Sequence, residues 1–249
     1  MAKDCPVNNE IYDHYGERWY TAEDDPVALL RAEAWARNGW ILSEMAGRFP
    51  GKSVRVLDIG CGAGFLANAL AAQGYGVTGL DTSAPSLEVA RRHDSTGTVD
   101  YRRGDAYKLE FADGSFDAVC AMDFLEHVEN PGQVVREAAR VLTQGGLFFF
   151  HTFNRNLLSW LIVIKGVEWF VRNTPPRMHS LRCFIRPAEL RGMCRQNGLE
   201  VILCRGLVPR IVQEPFWRML ATGRVRGRFS FKFTRHTLMG YVGLAILEP

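Results

Sequence analysis

Several things are missing from this chain, and each absence narrows what it can be. Its six cysteines, Cys5, Cys61, Cys120, Cys183, Cys194 and Cys204, contain no C-x-x-C pair in 249 residues. That spacing excludes a zinc ribbon or a redox dithiol and predicts six reduced thiols of a cytoplasmic protein, without disulfides. No GK[ST] phosphate loop is present and no internal repeat is visible. The opening MAKDCPVNNE is too polar for a secretory signal. The longest apolar run, LLSWLIVI over 157–164, is far short of the ~20 residues a membrane-spanning helix needs. Neither sign of charge dominates: 30 Lys and Arg stand against 27 Asp and Glu, a net charge of +3. Ordinary hydrophobic content leaves no case for wholesale disorder.

What the chain does have is concentrated in VRVLDIGCGAG, Val54 to Gly64, followed by GVTGLD ending at Asp81. Val54–Ile59 reads as a buried parallel strand, Gly60, Gly62 and Gly64 as a turn that lets backbone approach a ligand, and Phe65 to Gln73 as a helix ended by Gly74. Strand, glycine turn and helix open a nucleotide-binding α/β sheet, and Asp81 stands at the distance where such folds set an acid against ribose hydroxyls. Gly62, Gly64 and Ala67 satisfy a loose dinucleotide pattern. Asp58 argues against that reading, because a pyrophosphate at this turn would meet its carboxylate whereas a sulfonium or amino group would not be repelled. The pattern therefore predicts S-adenosylmethionine as cofactor, held by Asp58, Gly60, Gly62 and Asp81, with Asp105 as partner of the adenine amino group.

Further strands are expected at Val99–Tyr101, Phe116–Met122, Leu147–Thr152, Leu199–Leu203 and Tyr241–Leu247, and a helix over Pro131 to Leu142, capped by Asn130. This alternation predicts a Rossmann-like fold, a mostly parallel seven-stranded sheet with helices on both faces. Residues 1–50 are expected to form a helical extension anchored by Trp19, Tyr20, Trp35 and Trp40, and residues 51–249 the main domain. Within that domain, 154–187 is a lid or interfacial insertion, where tryptophans and flanking cations suit a helix lying in a membrane interface. The segment 208–237 is basic and flanks the acceptor side. Arg205, Arg210, Arg218, Arg224, Arg226, Arg228, Lys232 and Arg235 face only Glu214 there, which suits anionic lipid or a solvated face.

VLDIGCGAGFLA, VTGLD, FLEHVENP, FNRNLLSW and FIRPAEL, in this order from about Trp19 to Leu207, resemble class I methyltransferases of the ubiquinone-biosynthesis O-methyltransferase type. The resemblance implies methylation of a phenolic hydroxyl on a polyprenylated quinone precursor at an anionic membrane surface, with a quinone-biosynthesis protein complex as a further partner. It implies cofactor contacts by Arg37, Gly60, Asp81 and Met122. It also implies a magnesium ion at Asp123, Glu126 and His127, where Asp123 replaces the family's more usual glutamate. His127 and His179 are the expected general bases, and His151 is expected to be structural. After Leu207 the resemblance fades, which leaves open a methyltransferase for another lipid or small phenolic metabolite. An RNA-modifying enzyme would use the arginine-rich segment, but no base-stacking module accompanies it, so nucleic acid is disfavoured. A noncatalytic cofactor-binding protein is disfavoured by the intact Asp58, Gly60, Gly62, Asp81, Glu126 and His127 set.

Overall fold

The computed structural model describes residues 8–51 and 53–248. After a 3-10 turn at Asn9–His14 come α1 (Arg18–Thr21) and the long α2 (Pro26–Arg48). Asp25 starts α2 by accepting the Val27 N–H at 3.0 Å, with Pro26 in the first turn where its missing N–H costs nothing. The alternating core follows: β1 (Arg55–Ile59), α3 (Phe65–Ala71), β2 (Gly76–Asp81), α4 (Ala84–Arg92), β3 (Asp100–Arg103), β4 (Phe116–Met122), α5 (Pro131–Val141) and β5 (Leu142–Phe153). As expected, Asn130 caps α5, accepting the Gln133 N–H at 3.2 Å. A helical stretch then runs through α6 (Leu157–Ser159), a π-helical turn at Trp160–Gly166 and α7 (Val167–Phe170). The chain finishes with α8 (Pro187–Gln196), β6 (Leu199–Pro209), α9 (Glu214–Thr222), β7 (Phe231–Thr234) and β8 (Gly240–Leu247).

The strands form one sheet in the order β3-β2-β1-β4-β5-β8-β6-β7. β1 to β5 pair in parallel, and β8 enters antiparallel between β5 and β6. The sheet has eight strands rather than seven: β7, antiparallel to β6 from Gly206↔Thr234 to Pro209↔Phe231, adds an edge inside the basic segment. Its FKFT alternation is too short and too cationic to stand out in the sequence.

Side chains alternate across the sheet with the period of two that a strand imposes. Leu57, Ile59, Val119, Ala121, Phe148 and Phe150 pack on one face against α5 and α8. Val56, Ala118, Cys120 and Phe149 pack on the other against Ile41 and Met45 of α2 and Leu66 and Leu70 of α3. Asp58 shares the second face with Val56, so it is buried beneath α2 and α3. Two expectations are corrected here. Trp35 is 61% exposed, because the inward stripe of α2 runs through Ala34, Arg37, Asn38, Ile41 and Met45. Cys61, Cys120, Cys194 and Cys204 are free thiols, but Cys183 is disulfide-bonded; Cys5 lies outside the described residues.

Candidate active site

The turn after β1 is built against the end of β2. The Gly60 and Cys61 N–H groups donate to the Leu80 carbonyl at 2.8 and 3.1 Å. The Asp81 carboxylate accepts from the Gly62 N–H at 2.8 Å and the Ser83 N–H at 2.9 Å. Gly60 has φ +69°, and a Cβ there would lie 2.2 Å from the Phe124 ring. Both conditions require glycine. Burial raises the Asp81 carboxyl against the pull of these N–H donors, and burial pushes Asp58 up to about 7 although Arg37 opposes it.

A single cavity of about 820 Å³ extends from this turn. Its polar end is lined by Asp58, Gly60, Gly62, Asp81, Arg37, Asn38 and Met122, which the fold brings together from α2, β1, β2 and β4. Asn38 donates to the Phe65 carbonyl at 2.7 Å, while its buried Oδ1 has no hydrogen-bond partner among the described residues. Asp105 is not brought to the cavity. It is exposed and accepts the Tyr107 N–H at 2.8 Å, because the chain turns outward after β3.

The cavity wall also carries a charged cluster of which the sequence shows only parts: Glu33, Arg37 and Asp123 line the cavity and His151 does not. Arg37 is ion-paired with Asp123, and His151 bonds to Asp123 through Nδ1. The other ring nitrogen of His151 lies 3.2 Å from Glu33. Burial alone would raise Asp123 and lower His151; their attraction reverses both. Arg37 and His151 hold the Asp123 carboxyl well below its usual range, and Asp123 with Glu33 pushes His151 up to about 9. His151 is therefore cationic at neutral pH. Glu33 was not anticipated. Its signal was the Glu33–Arg37 spacing on one helical face, which is equally the mark of an ordinary surface pair.

The three residues expected to hold magnesium are not gathered. Asp123, at φ +52°, spends its oxygens on Arg37 and His151. Glu126 is buried, does not line the cavity, and is pushed up to about 8 by burial and by Asp123. His127 does line the cavity, but its Nδ1 lies 3.2 Å from Asn9 Oδ1 and its Nε2 3.4 Å from the Tyr12 hydroxyl. A different trio, Glu33, Asp123 and His151, has ligand atoms within 4.8 Å of one another. The guanidinium of Arg37 is already ion-paired with Asp123 and lies 3.1 Å from His151 Nδ1. With that resident cation in place, the donor set does not fit a divalent ion.

His127 and His179 both line the cavity, with ring centroids 5.5 Å apart. Burial and the neighbouring imidazole bring His127 down to about 3, and burial brings His179 down to about 4. Both are neutral at physiological pH.

Beyond the histidines the cavity turns apolar, walled by Leu29, Phe216, Met219 and Leu220, Phe229 and Phe231. Leu161, Ile162, Trp169, Phe170 and Ile211 are at once exposed and part of the wall, so they form its rim.

Residues 57–150 match the methyltransferase domain family. The chain is 41% identical over 201 residues to a ubiquinone biosynthesis O-methyltransferase of Bordetella bronchiseptica, covering 80% of this chain and 82% of that protein. It is 38% identical over 210 residues to the enzyme of the same name from Escherichia coli, covering 80% and 85%. Among solved structures, the magnesium protoporphyrin IX methyltransferase of Synechocystis, with bound SAH, superposes with a TM-score of 0.57 at 18% identity, covering 98% of this chain and 89% of that one, a likeness of fold. Sustained identity over four fifths of both chains, on a fold with the glycine turn intact, shows that this protein belongs to the ubiquinone biosynthesis O-methyltransferase family and is an S-adenosylmethionine-dependent enzyme.

Proposed function

We propose that the protein transfers a methyl group to a phenolic hydroxyl of a polyprenylated quinone precursor at the surface of an anionic membrane. The observation that carries this reading is the continuity of one cavity from the Gly60–Asp81 turn, past two neutral histidines, to an apolar end with an exposed apolar rim. The polar end fits the methyl donor: the glycine turn leaves room that a side chain would fill, and Asn38, whose Oδ1 is unpartnered among the described residues, and Asp81 line it. Gly60, Gly62 and Asp81 would hold the adenosine, Met122 would pack beside it, and Arg37 and Asp58 would face the amino-acid end.

The donor, when bound, supplies an electrophilic methyl whose leaving group is already activated. The chain's own residues must align the acceptor, exclude water and accept its proton. A phenol with a reference pKa near 10 is mostly protonated at neutral pH. His151, being cationic, cannot take that proton. Both nitrogens of His127 are engaged by Asn9 and Tyr12, whereas no hydrogen bond among the described residues engages the ring of His179. His179 is the better base, and the phenolate forming beside it is the opposite charge that stabilises its imidazolium. His127 would position the acceptor ring. No step is routed through a metal.

Support for membrane contact is the rim itself. Trp169 is 62% and Trp217 61% exposed, while Arg210, Arg228, Lys232 and Arg235 are exposed with no ion pair among the described residues. Among the described residues no helix is long and apolar enough to cross a membrane, so contact would be interfacial.

The test is methyl transfer from labelled S-adenosylmethionine to catechols with and without a prenyl tail, with anionic liposomes and EDTA varied. Turnover of the prenylated catechol, raised by liposomes, unchanged by EDTA and lowered about 10²-fold or more by His179→Ala, is the expected result. Cofactor binding without methylation of any phenol would overturn the assignment.

A further inference from the structure

The segment in which the family resemblance fades, 208–237, is not a loose cationic tail. It folds back over α2 and closes the apolar end of the cavity. The Val225 N–H donates to the Glu23 carbonyl at 2.6 Å, and the Arg172 N–H donates to the Gly223 carbonyl at 3.0 Å. Arg226 pairs with Glu23 at 2.6 Å. These bonds tie the segment to the start of α2 and the end of α7. Met219, Val225 and Phe229 then form a separate small core with Ala28, Ala32 and Val171, away from the two large cores of the sheet.

α9 is two-sided. Met219 is buried and Phe216 and Leu220 are half-buried, and all three line the cavity, while Trp217 and Arg218 point outward. On the inward side no charged residue of α9 meets the cavity, and the one charged residue of segment 208–237 that lines it, Lys232 of β7, is exposed. An apolar wall continuous with the reacting end, and opening at a rim of Trp169, Phe170 and Ile211, is what a long hydrocarbon needs when its head group must reach buried histidines while its far end stays in lipid.

We propose that α9, with Phe229 and Phe231, is the subsite for the first isoprene units of the acceptor's tail, and that this segment sets which tails the enzyme accepts. The inference rests on the phenol O-methyltransferase reading above and adds to it the location and origin of tail selectivity. Two substitutions change the channel in opposite directions. Leu220→Trp narrows it, and Phe216→Ala widens it beside the same wall. Each variant is assayed in detergent micelles, so that membrane partition does not enter, with a short unprenylated catechol and a catechol bearing several isoprene units. Affinity for S-adenosylhomocysteine, measured by calorimetry, reports whether the fold and donor end are intact.

With donor affinity retained, the ratio of kcat/KM for long over short acceptor should fall about tenfold or more in Leu220→Trp, chiefly through KM. In Phe216→Ala the optimum should move toward bulkier tails. Equal losses for both acceptors, or an unchanged ratio in both variants, would overturn the tail subsite while leaving the methyltransferase reading standing. If the wild-type protein methylates neither catechol, the underlying reading fails instead.

Discussion

The two ends of the cavity are made in different ways. The end proposed for the donor is centred on one contiguous stretch, to which α2 and β4 add Arg37, Asn38 and Met122: the turn after β1 and the end of β2 lie within about two dozen residues, and local hydrogen bonds fix their geometry. The end proposed for the acceptor is assembled from α2, the 157–170 helix, α9 and β7, which are remote in sequence and meet through apolar packing and a few long-range hydrogen bonds. A donor common to many enzymes can be held by a motif. An acceptor particular to one enzyme is held by a surface, and surfaces can be re-cut one side chain at a time. Between the two ends lies the buried cluster of Arg37, Asp123, His151 and Glu33.

Breaking that seam should have the largest effect. Arg37→Met leaves the Asp123 carboxylate buried with one cationic partner instead of two, and removing one partner of a buried ion pair costs about 3–5 kcal/mol. Denaturant unfolding should show that loss together with weakened donor binding. A change below about 1 kcal/mol would mean that solvent reaches the cluster. At the donor end, Gly60→Ala must adopt a left-handed conformation and displace Phe124; together these cost about 2–4 kcal/mol. Donor affinity should fall by a factor of ten or more for every acceptor. An effect confined to one acceptor would break the division between the ends.

A subtler effect concerns pH. Asp58 and Glu126 keep protons up to about 7 and 8, whereas an unfolded carboxyl releases them near 4, so both favour the unfolded state increasingly as pH rises through that range. His151 contributes stability that is complete below about 6.5 and lost as pH climbs through about 9. Asp123 works in the opposite sense, its contribution present above its unfolded value and lost as pH falls below it, and so do His127 and His179, whose neutral rings cost stability as pH falls below about 6.5 without outweighing Asp58, Glu126 and His151. The donor-free protein should therefore melt at a higher temperature at pH 5.5 than at pH 8.5. Glu126→Gln should shrink that difference. A flat profile would show that these groups do not titrate differently on folding.

Most of the fold was legible because β1, β2 and β4 are apolar runs closed by glycine or an acid, and because Asn130-Pro131 announces α5. The turn proposed for the donor was legible for the same reason: Gly62 donates to the Asp81 carboxylate, and the conformation of Gly60 demands glycine. The ligand triad was misread because Asp123, Glu126 and His127 are neighbours along the chain, yet a left-handed residue followed by a 3-10 turn sends their side chains into three environments. Asp105 failed likewise: an acid after a strand says nothing about the direction of the next turn. Glu33 and α9 were invisible as site elements, since their roles depend on packing between segments more than 100 residues apart.

The place of β8 in the sheet bears on how the chain reaches this state at all. Residues 240–247 insert between β5 and β6, pairing with both. Until that strand has emerged from the ribosome, β5, which carries Phe148, Phe149 and Phe150, and β6 each expose an unpaired edge, the arrangement that invites strand addition from another chain. The sheet therefore closes only once residues 240–247 have been made, and a product stopped before residue 240 would be prone to aggregate.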